Sequence, residues 1–329
     1  MAGCSMPIKS DDPHRELEQT IPKIAEQREP EVRASIVIKS NDQQEYLEQT
    51  FPMLAKQTEK SFEVIFAYSG RNQSTVELAK DWGGRGIKIE VVQIEPGKFS
   101  HPGVINDAAT RAHGDFLVYL SADAIPAKED WLESLLKPFD DPDVAGVYGR
   151  HLPYLRAKGA NFLDRFKFSI WYDPTPRRQI YETGHGFSNA NSAVRKPLWE
   201  RHHFDERIPE AEDYEWSLWA EEEGYAIVYD PGAAVYHSHA QRYGILGYAI
   251  RALRLAWLRK QIDRKAKYPM ASLEPYFLAV AVSLLMTMLI WVLRYQPIIS
   301  GIRGLLFLAG PLQLALVSIL GWFRWLSEK

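Results

Sequence analysis

The chain has 329 residues, 46% of them apolar and 12% aromatic, a composition that excludes a disordered or fibrous polypeptide and leaves room for about two domains. Its net charge of −3 conceals a split: residues 241–329 hold 12 Lys and Arg against 3 Asp and Glu, while residues 1–240 hold 27 against 39, which excludes a general nucleic-acid binder for the larger part. The single cysteine, Cys4, excludes an internal disulfide and a cysteine-based zinc site.

Residues 1–32 are polar and read as a peripheral helical extension. They contain no apolar core of signal-peptide length, and Met1-Ala2-Gly3 does not fit a myristoylation signal. From 34 to 230, short β-branched or aromatic runs alternate with segments of helical period, the pattern of a layered α/β sheet, and this places one domain over 33–240. The predicted strands are 34–39 (ASIVIK), 62–68 (FEVIFAY), 87–94 (IKIEVVQI), 116–121 (FLVYLS), 144–148 and 226–229. The predicted helices are 43–57, 74–82, 102–113, 128–139 and 211–223. In an open sheet of this kind ligands collect at the carboxyl ends of the strands, which selects the polar residues that matter.

Three groups stand at such ends. Asp123, in Ser121-Ala122-Asp123-Ala124-Ile125-Pro126, follows the apolar strand FLVYL, where a carboxylate either caps a turn or holds a divalent cation on a diphosphate. Glu210, Glu212, Asp213 and Glu215 open a helix; they either compensate its dipole or supply one carboxylate to a cleft as a base. His237 and His239 follow the strand AIVYD and the turn Pro231-Gly232, two residues apart and so on one face of an extended segment. They are either structural histidines or neutral imidazoles completing a metal shell begun by an aspartate.

Beyond 240 the character changes. Residues 243–267 repeat Ile250, Leu253, Trp257 and Leu258 at helical spacing beside Arg251, Arg254, Arg259 and Lys260, the pattern of an amphipathic helix over 241–270 lying on anionic head groups. Residues 275–293 and 304–323 carry no charge and are 19 and 20 residues long, each about enough to span a ~30 Å hydrocarbon core. With ten residues between them they would form a transmembrane hairpin within 271–329. The basic flank then puts the acidic domain in the cytoplasm, at the inner membrane. Gly301, Gly304 and Gly310 would allow close helix packing in lipid and with it a homo-oligomer.

These groups, in this order and at these intervals, resemble the nucleotide-sugar-dependent family 2 glycosyltransferases of GT-A fold, and among them the bacterial rhamnosyltransferase-like branch. The resemblance runs from about 34 to 239 and rests on SIVIKSND, HPGVINDAATRAHGDFLVYLSADAIP, WLESLLKPFDDPDVAGVYGRHLP, GFSNANSAVRKPLW and FDERIPEAEDYEWSLWAEEEGYAIVYDPGAAVYHSH. It implies a Rossmann-like, mixed and mostly parallel sheet flanked by helices. Carried over residue by residue, it implies that Asp123 ends a DxD-like motif and holds the Mn²⁺ or Mg²⁺ on the donor diphosphate. Asp213, with Glu212 beside it, matches the general base; His237, and less closely His239, matches the histidine that reaches the metal. Ser40, Tyr68, Ser69 and Asn106 fall on the donor side; Asn189, Asn191 and Trp216 fall on the acceptor side. Three departures stand out. Tyr68 occupies the position of a nucleobase-gripping Asp, Ser121 the first position of the metal motif, and Ile105 the position of an Arg. They imply a divergent donor pocket or a weaker metal dependence.

The expected function is an inverting glycosyltransferase that moves a sugar, such as the deoxyhexose rhamnose, from a nucleotide diphosphate to a lipid-linked saccharide. Two alternatives stand beside it: a polyprenyl-phosphate sugar synthase, whose acceptor is already ionised and needs no base, and a non-catalytic scaffold of a polysaccharide assembly complex. A dinucleotide oxidoreductase has no support, because a Gly-rich phosphate loop is absent.

Overall fold

A computed structural model of the chain describes residues 32–95, 100–154, 168, 172–179, 187–208 and 210–237, with 251, 254, 255, 257–259, 261 and 262 of the basic segment. In chain order the elements are β1 (Ala34–Ser40), α1 (Gln44–Ala55), β2 (Phe62–Tyr68), α2 (Gln73–Gly84), β3 (Ile89–Gln93), α3 (His101–Ala109), β4 (Phe116–Ser121) and β5 (Ile125–Pro126). They continue with α4 (Trp131–Leu136), which tightens into a 3-10 turn over Lys137–Asp140, then β6 (Val144–Leu152), β7 (Arg177–Gln179), β8 (Asn191–Arg195), α5 (Lys196–Arg201), α6 (Glu212–Glu222) and β9 (Ala226–Tyr236).

The strands form one nine-stranded sheet in the order β3-β2-β1-β4-β8-β6-β9-β5, with β7 also on β9. The β3-β2-β1-β4 half is parallel throughout, because each strand returns through a crossover helix. Side chains alternate between two cores: Ile36, Ile38, Val64 and Phe66 face Leu47 and Phe51 of α1 and Trp131 and Leu135 of α4. Val37 and Ile65 face Val104 and Ala108 of α3, Trp199 of α5 and Trp216 of α6. Coverage on both faces explains why these strands read as continuous apolar runs.

The other half departs from the expected mostly parallel sheet. β8 runs antiparallel to both β4 and β6, and β5 and β7 run antiparallel to β9, so parallel and antiparallel neighbours are evenly matched. The turn expected at Pro231-Gly232 does not end the strand. It sits inside β9 as an irregularity against β6, between the pairs Gly149 with Asp230 and His151 with Val235, and the Asp230 carboxylate accepts from Gly232 N at 2.7 Å. Gly224, at φ 90°, takes the left-handed turn that closes α6 and feeds β9.

Among the described residues no helix is long and apolar enough to cross a membrane. The stretches 275–293 and 304–323 lie outside them, as do residues 1–31.

Candidate active site

Register brings the first group together. Lys39 of β1 stands beside Ser121 of β4, and the chain turns at once, with Ala124 N donating to Ser121 O at 2.8 Å. The Ser121 hydroxyl donates to Asp123 Oδ1, so the serine at the first motif position orients the carboxylate at the last. Two residues later β5 pairs with the end of β9, Ile125 opposite Tyr236. That pairing carries His237 back over the turn: its backbone N–H donates to Leu152 O at 2.9 Å, and its Nε2 lies 3.4 Å from Asp123 Oδ1.

The second group joins the first through the turn before β8. Ser121 N donates to Ala190 O at 3.2 Å. The preceding residue, Asn189, donates its backbone N–H to Asp213 Oδ2 at 3.1 Å and its amide to Glu212 Oε1 at 3.4 Å, and accepts from Ser192 Oγ at 3.3 Å. Both carboxylates occupy the first turn of α6, where the helix dipole favours negative charge, and Tyr214 N donates to Asp213 Oδ1 at 2.8 Å. They differ in depth. Glu212 is 3% exposed and Asp213 half-buried. Burial, and after it the Asp213 charge, raises Glu212 well above the usual carboxylate range, which favours its protonated form beside the half-buried Asp213.

His101 and Lys39 complete this wall. Lys39 Nζ donates to His101 Nδ1 at 2.9 Å, so the ring proton sits on Nε2, which faces Glu212 Oε1 at 3.5 Å. Desolvation by surrounding groups, then the Lys39 charge, hold the imidazole below its usual value. The side chain keeps 43% of its surface open, so the contact with Lys39 is the firmer reason for a neutral ring.

The expected donor residues divide. Ser40 donates to Gln43 Oε1 at 2.9 Å and Ser69 to Asn41 Oδ1 at 2.6 Å, both at the carboxyl end of the β1–β2 pair. The Tyr68 hydroxyl lies 2.5 Å from Asp42 Oδ1, which also accepts from Asn72 N at 3.1 Å. A carboxylate therefore does stand at this end of the sheet, supplied by the β1–α1 loop beside Tyr68, which takes the place of the expected Asp. The hydrogen bond from Tyr68 leads the causes that hold Asp42 below its ordinary value. Asn106 faces elsewhere: its amide donates to Phe204 O at 2.8 Å and accepts from Trp199 Nε1 at 3.3 Å, tying α3 to α5.

Of the three acceptor residues, only Asn189 reaches the carboxylates. Asn191 accepts from Trp131 Nε1 at 2.9 Å and donates to Ala233 O at 2.8 Å, which binds β8 to α4 and β9. Trp216 is fully buried, stacked at 6.0 Å on Phe187, with Nε1 donating to His202 O at 2.9 Å. It is core because α6 turns that side toward the sheet.

Among the described residues no group of three or more His, Cys, Asp or Glu could hold a metal; Asp123 and His237 are a pair, and His239 lies outside them. One carboxylate and one imidazole suit a small divalent cation that takes its remaining ligands from diphosphate oxygens and water. Lys39, Asp42 and His101 were missed in the sequence. The signal for them was their place in SIVIKSND and HPGVIND, one at a strand end, one in the loop after it and one at a helix start.

This doubly covered α/β sheet gathers carboxylates and histidines at the carboxyl ends of β4 and β9 and the start of α6, the end at which open α/β sheets bind their ligands. The sequence pattern of glycosyl transferase family 2 matches residues 35–202, half of the chain, and the chain belongs to that family. It is 31% identical over 186 residues to the O-antigen chain rhamnosyltransferase RfbN of Salmonella typhimurium, covering 54% of this chain and 57% of the relative. It is 33% identical over 155 residues to the O-antigen chain rhamnosyltransferase WbaN of Salmonella anatum, covering 45% and 49%. The match thus spans about half the length of these curated relatives. In fold the chain is similar to the mannosyltransferase PcManGT of Pyrobaculum calidifontis, solved with GDP-Man and Mn²⁺, at TM-score 0.55 and 16% identity over 91% of this chain and 92% of that one. It is also similar to S. aureus TarS residues 1–349 in complex with UDP, at TM-score 0.54 and 15% identity over 83% and 75%.

Proposed function

We propose that this chain is an inverting glycosyltransferase that transfers a sugar, a deoxyhexose such as rhamnose, from a nucleotide diphosphate to a saccharide acceptor in envelope polysaccharide synthesis. The observation that carries this reading is the join at Asn189-Ala190, which links the Asp123–His237 pair to the Glu212–Asp213 pair across residues far apart in sequence. The names of RfbN and WbaN support rhamnose as the sugar, and the ligands of PcManGT and TarS support a nucleotide sugar as donor.

An acceptor hydroxyl ionises far above neutral pH, so attack on the anomeric carbon needs a carboxylate to take its proton. Asp213 fills that role, because it is half-exposed and Asn189 N and Tyr214 N fix both its oxygens. Burial favours the protonated form of Glu212, which would spare Asp213 a second negative charge. Asp123 and His237 would hold Mn²⁺ or Mg²⁺; when bound, the cation neutralises charge on the departing nucleoside diphosphate. One base opposite one leaving group gives a single displacement, hence inversion.

The acceptor is lipid-linked and the enzyme works at the cytoplasmic face of the inner membrane. Support comes from the basic residues of 241–270 and the uncharged stretches 275–293 and 304–323 that follow the domain. The test is transfer from a panel of nucleotide diphosphate sugars to lipid-linked saccharides with Mn²⁺ or Mg²⁺. A glycosidic product of inverted configuration supports the reading. A phosphodiester product, or no transfer and no donor binding across the panel, overturns it.

A further inference from the structure

His151 carries no role in what precedes, yet its ring is built into the same layer. It stands on β6 opposite Val235, with Leu152 opposite Tyr236, so β6 holds it beside the segment that delivers His237. Both rings are buried. Their Nδ1 atoms are 3.1 Å apart and their planes meet at 69°. On its other side His151 stacks on Tyr172, 4.3 Å between centroids and 6° between planes, and Phe168 meets it edge-on at 5.8 Å.

Two imidazole nitrogens at this distance share one proton: with none between them their lone pairs repel, and with two their hydrogens collide. This leaves two neutral arrangements. If His151 donates, His237 carries its proton on Nε2 and can only donate to Asp123. If His237 donates from Nδ1, its Nε2 lone pair is directed to the space it shares with Asp123, 3.4 Å away. Only the second arrangement lets His237 and Asp123 bind one cation together.

We propose that His151 is a positioning residue that accepts the Nδ1 proton of His237, fixing the tautomer and ring plane that make His237 a metal ligand. The inference rests on the metal reading above and adds to it the partner that a ligating histidine needs on its second nitrogen. Tyr172 and Phe168 hold the acceptor by clamping its ring, which fixes the direction of Nδ1 without a further charge.

The test uses the full chain with UDP or GDP and reads Mn²⁺ binding by electron paramagnetic resonance. His151→Phe keeps the stack on Tyr172 but has no acceptor, and is expected to weaken Mn²⁺ binding by about 10- to 100-fold. His151→Asn places an amide oxygen near the position of Nδ1 and should stay within a few-fold of the parent. A purely structural role would lower thermal stability in both variants without separating their Mn²⁺ affinities. Equal affinities in His151→Phe and the parent, or equal losses in the two variants, overturn the proposal. Should His151→Phe not fold, nitrogen-15 histidine spectra of the parent with Mg²⁺ and UDP or GDP decide: a proton on His237 Nδ1 supports it, a proton on Nε2 overturns it. A parent that takes up no Mn²⁺ with either nucleotide overturns the metal reading itself, and that outcome is visible without any variant.

Discussion

Glu212 and Asp213 are neighbours of the same chemistry held at different depths, Glu212 buried and Asp213 half-buried. Burial raises Glu212 above 4.5, its ordinary value, so between that pH and its folded-state value the native protein keeps a proton the unfolded chain has lost. Stability from this group is therefore greatest at low pH and falls as pH rises through that window. Glu212→Gln removes the titration, and its melting temperature should fall less than that of the parent between pH 5 and pH 8; parallel curves would mean Glu212 is ionised throughout. Asp213→Asn keeps one of the two oxygens that accept from Asn189 N and Tyr214 N, replaces the other with an amide nitrogen, and abolishes the base. Turnover is expected to drop by at least ~10²-fold with donor affinity unchanged, measured by transfer kinetics and donor titration. The place of Asp123, Asp213 and His237 at one end of the sheet was legible in the sequence because each follows or opens a strongly periodic element. Asn106, Asn191 and Trp216 could not be sorted by residue type. A buried amide satisfied by Trp131 Nε1 and a backbone carbonyl looks, in one dimension, like an amide waiting for a sugar.

At the scale of elements, β1, β2 and β4 are legible almost to the residue because they are buried on both faces and bounded by polar turns. β8 escaped because its Asn191 and Ser192 are polar and buried, a combination that pattern reading assigns to a loop. Its place in the sheet depends on how closely β6 and β9 approach. A Cβ on Gly149 would lie 1.8 Å from Ala233 O, a backbone atom that cannot yield cheaply, and 2.4 Å from Nδ2 of the Asn191 side chain. Gly149→Ala should therefore cost at least about 1–3 kcal/mol, the range for overpacking a filled interior, and also break the Asn191 bond to Ala233 O. The shift of the urea midpoint measures it; an unchanged midpoint would mean that β9 can move away freely. Because β9 delivers His237, the same variant should weaken Mn²⁺ binding.

For the whole molecule, the acidic domain and the basic segment are joined at α6. Ile262 packs with Ala211, Tyr214 and Leu218; Arg254 Nε lies 3.8 Å from Glu210 Oε2; the Arg259 guanidinium sits 4.9 Å over the Tyr214 ring. These contacts flank Glu212 and Asp213 on both sides, so the segment read as a membrane support also braces the carboxylates. It still keeps Trp257 60% exposed, on a segment whose cations could meet anionic head groups. A bilayer contact through Trp257 and the neighbouring cations predicts two separable losses. Trp257→Ser touches none of the bracing contacts, so binding to anionic vesicles should weaken while turnover on a soluble saccharide is preserved. Ile262→Asp buries a charge against α6 and should lower that turnover and the melting temperature while Trp257 and the arginines still bind vesicles. Co-sedimentation with vesicles at low and high salt reads the first effect, since attraction to charged head groups is screened within about 8 Å at physiological ionic strength. If both variants lose both properties together, membrane contact and support of α6 are one interaction and the division is wrong.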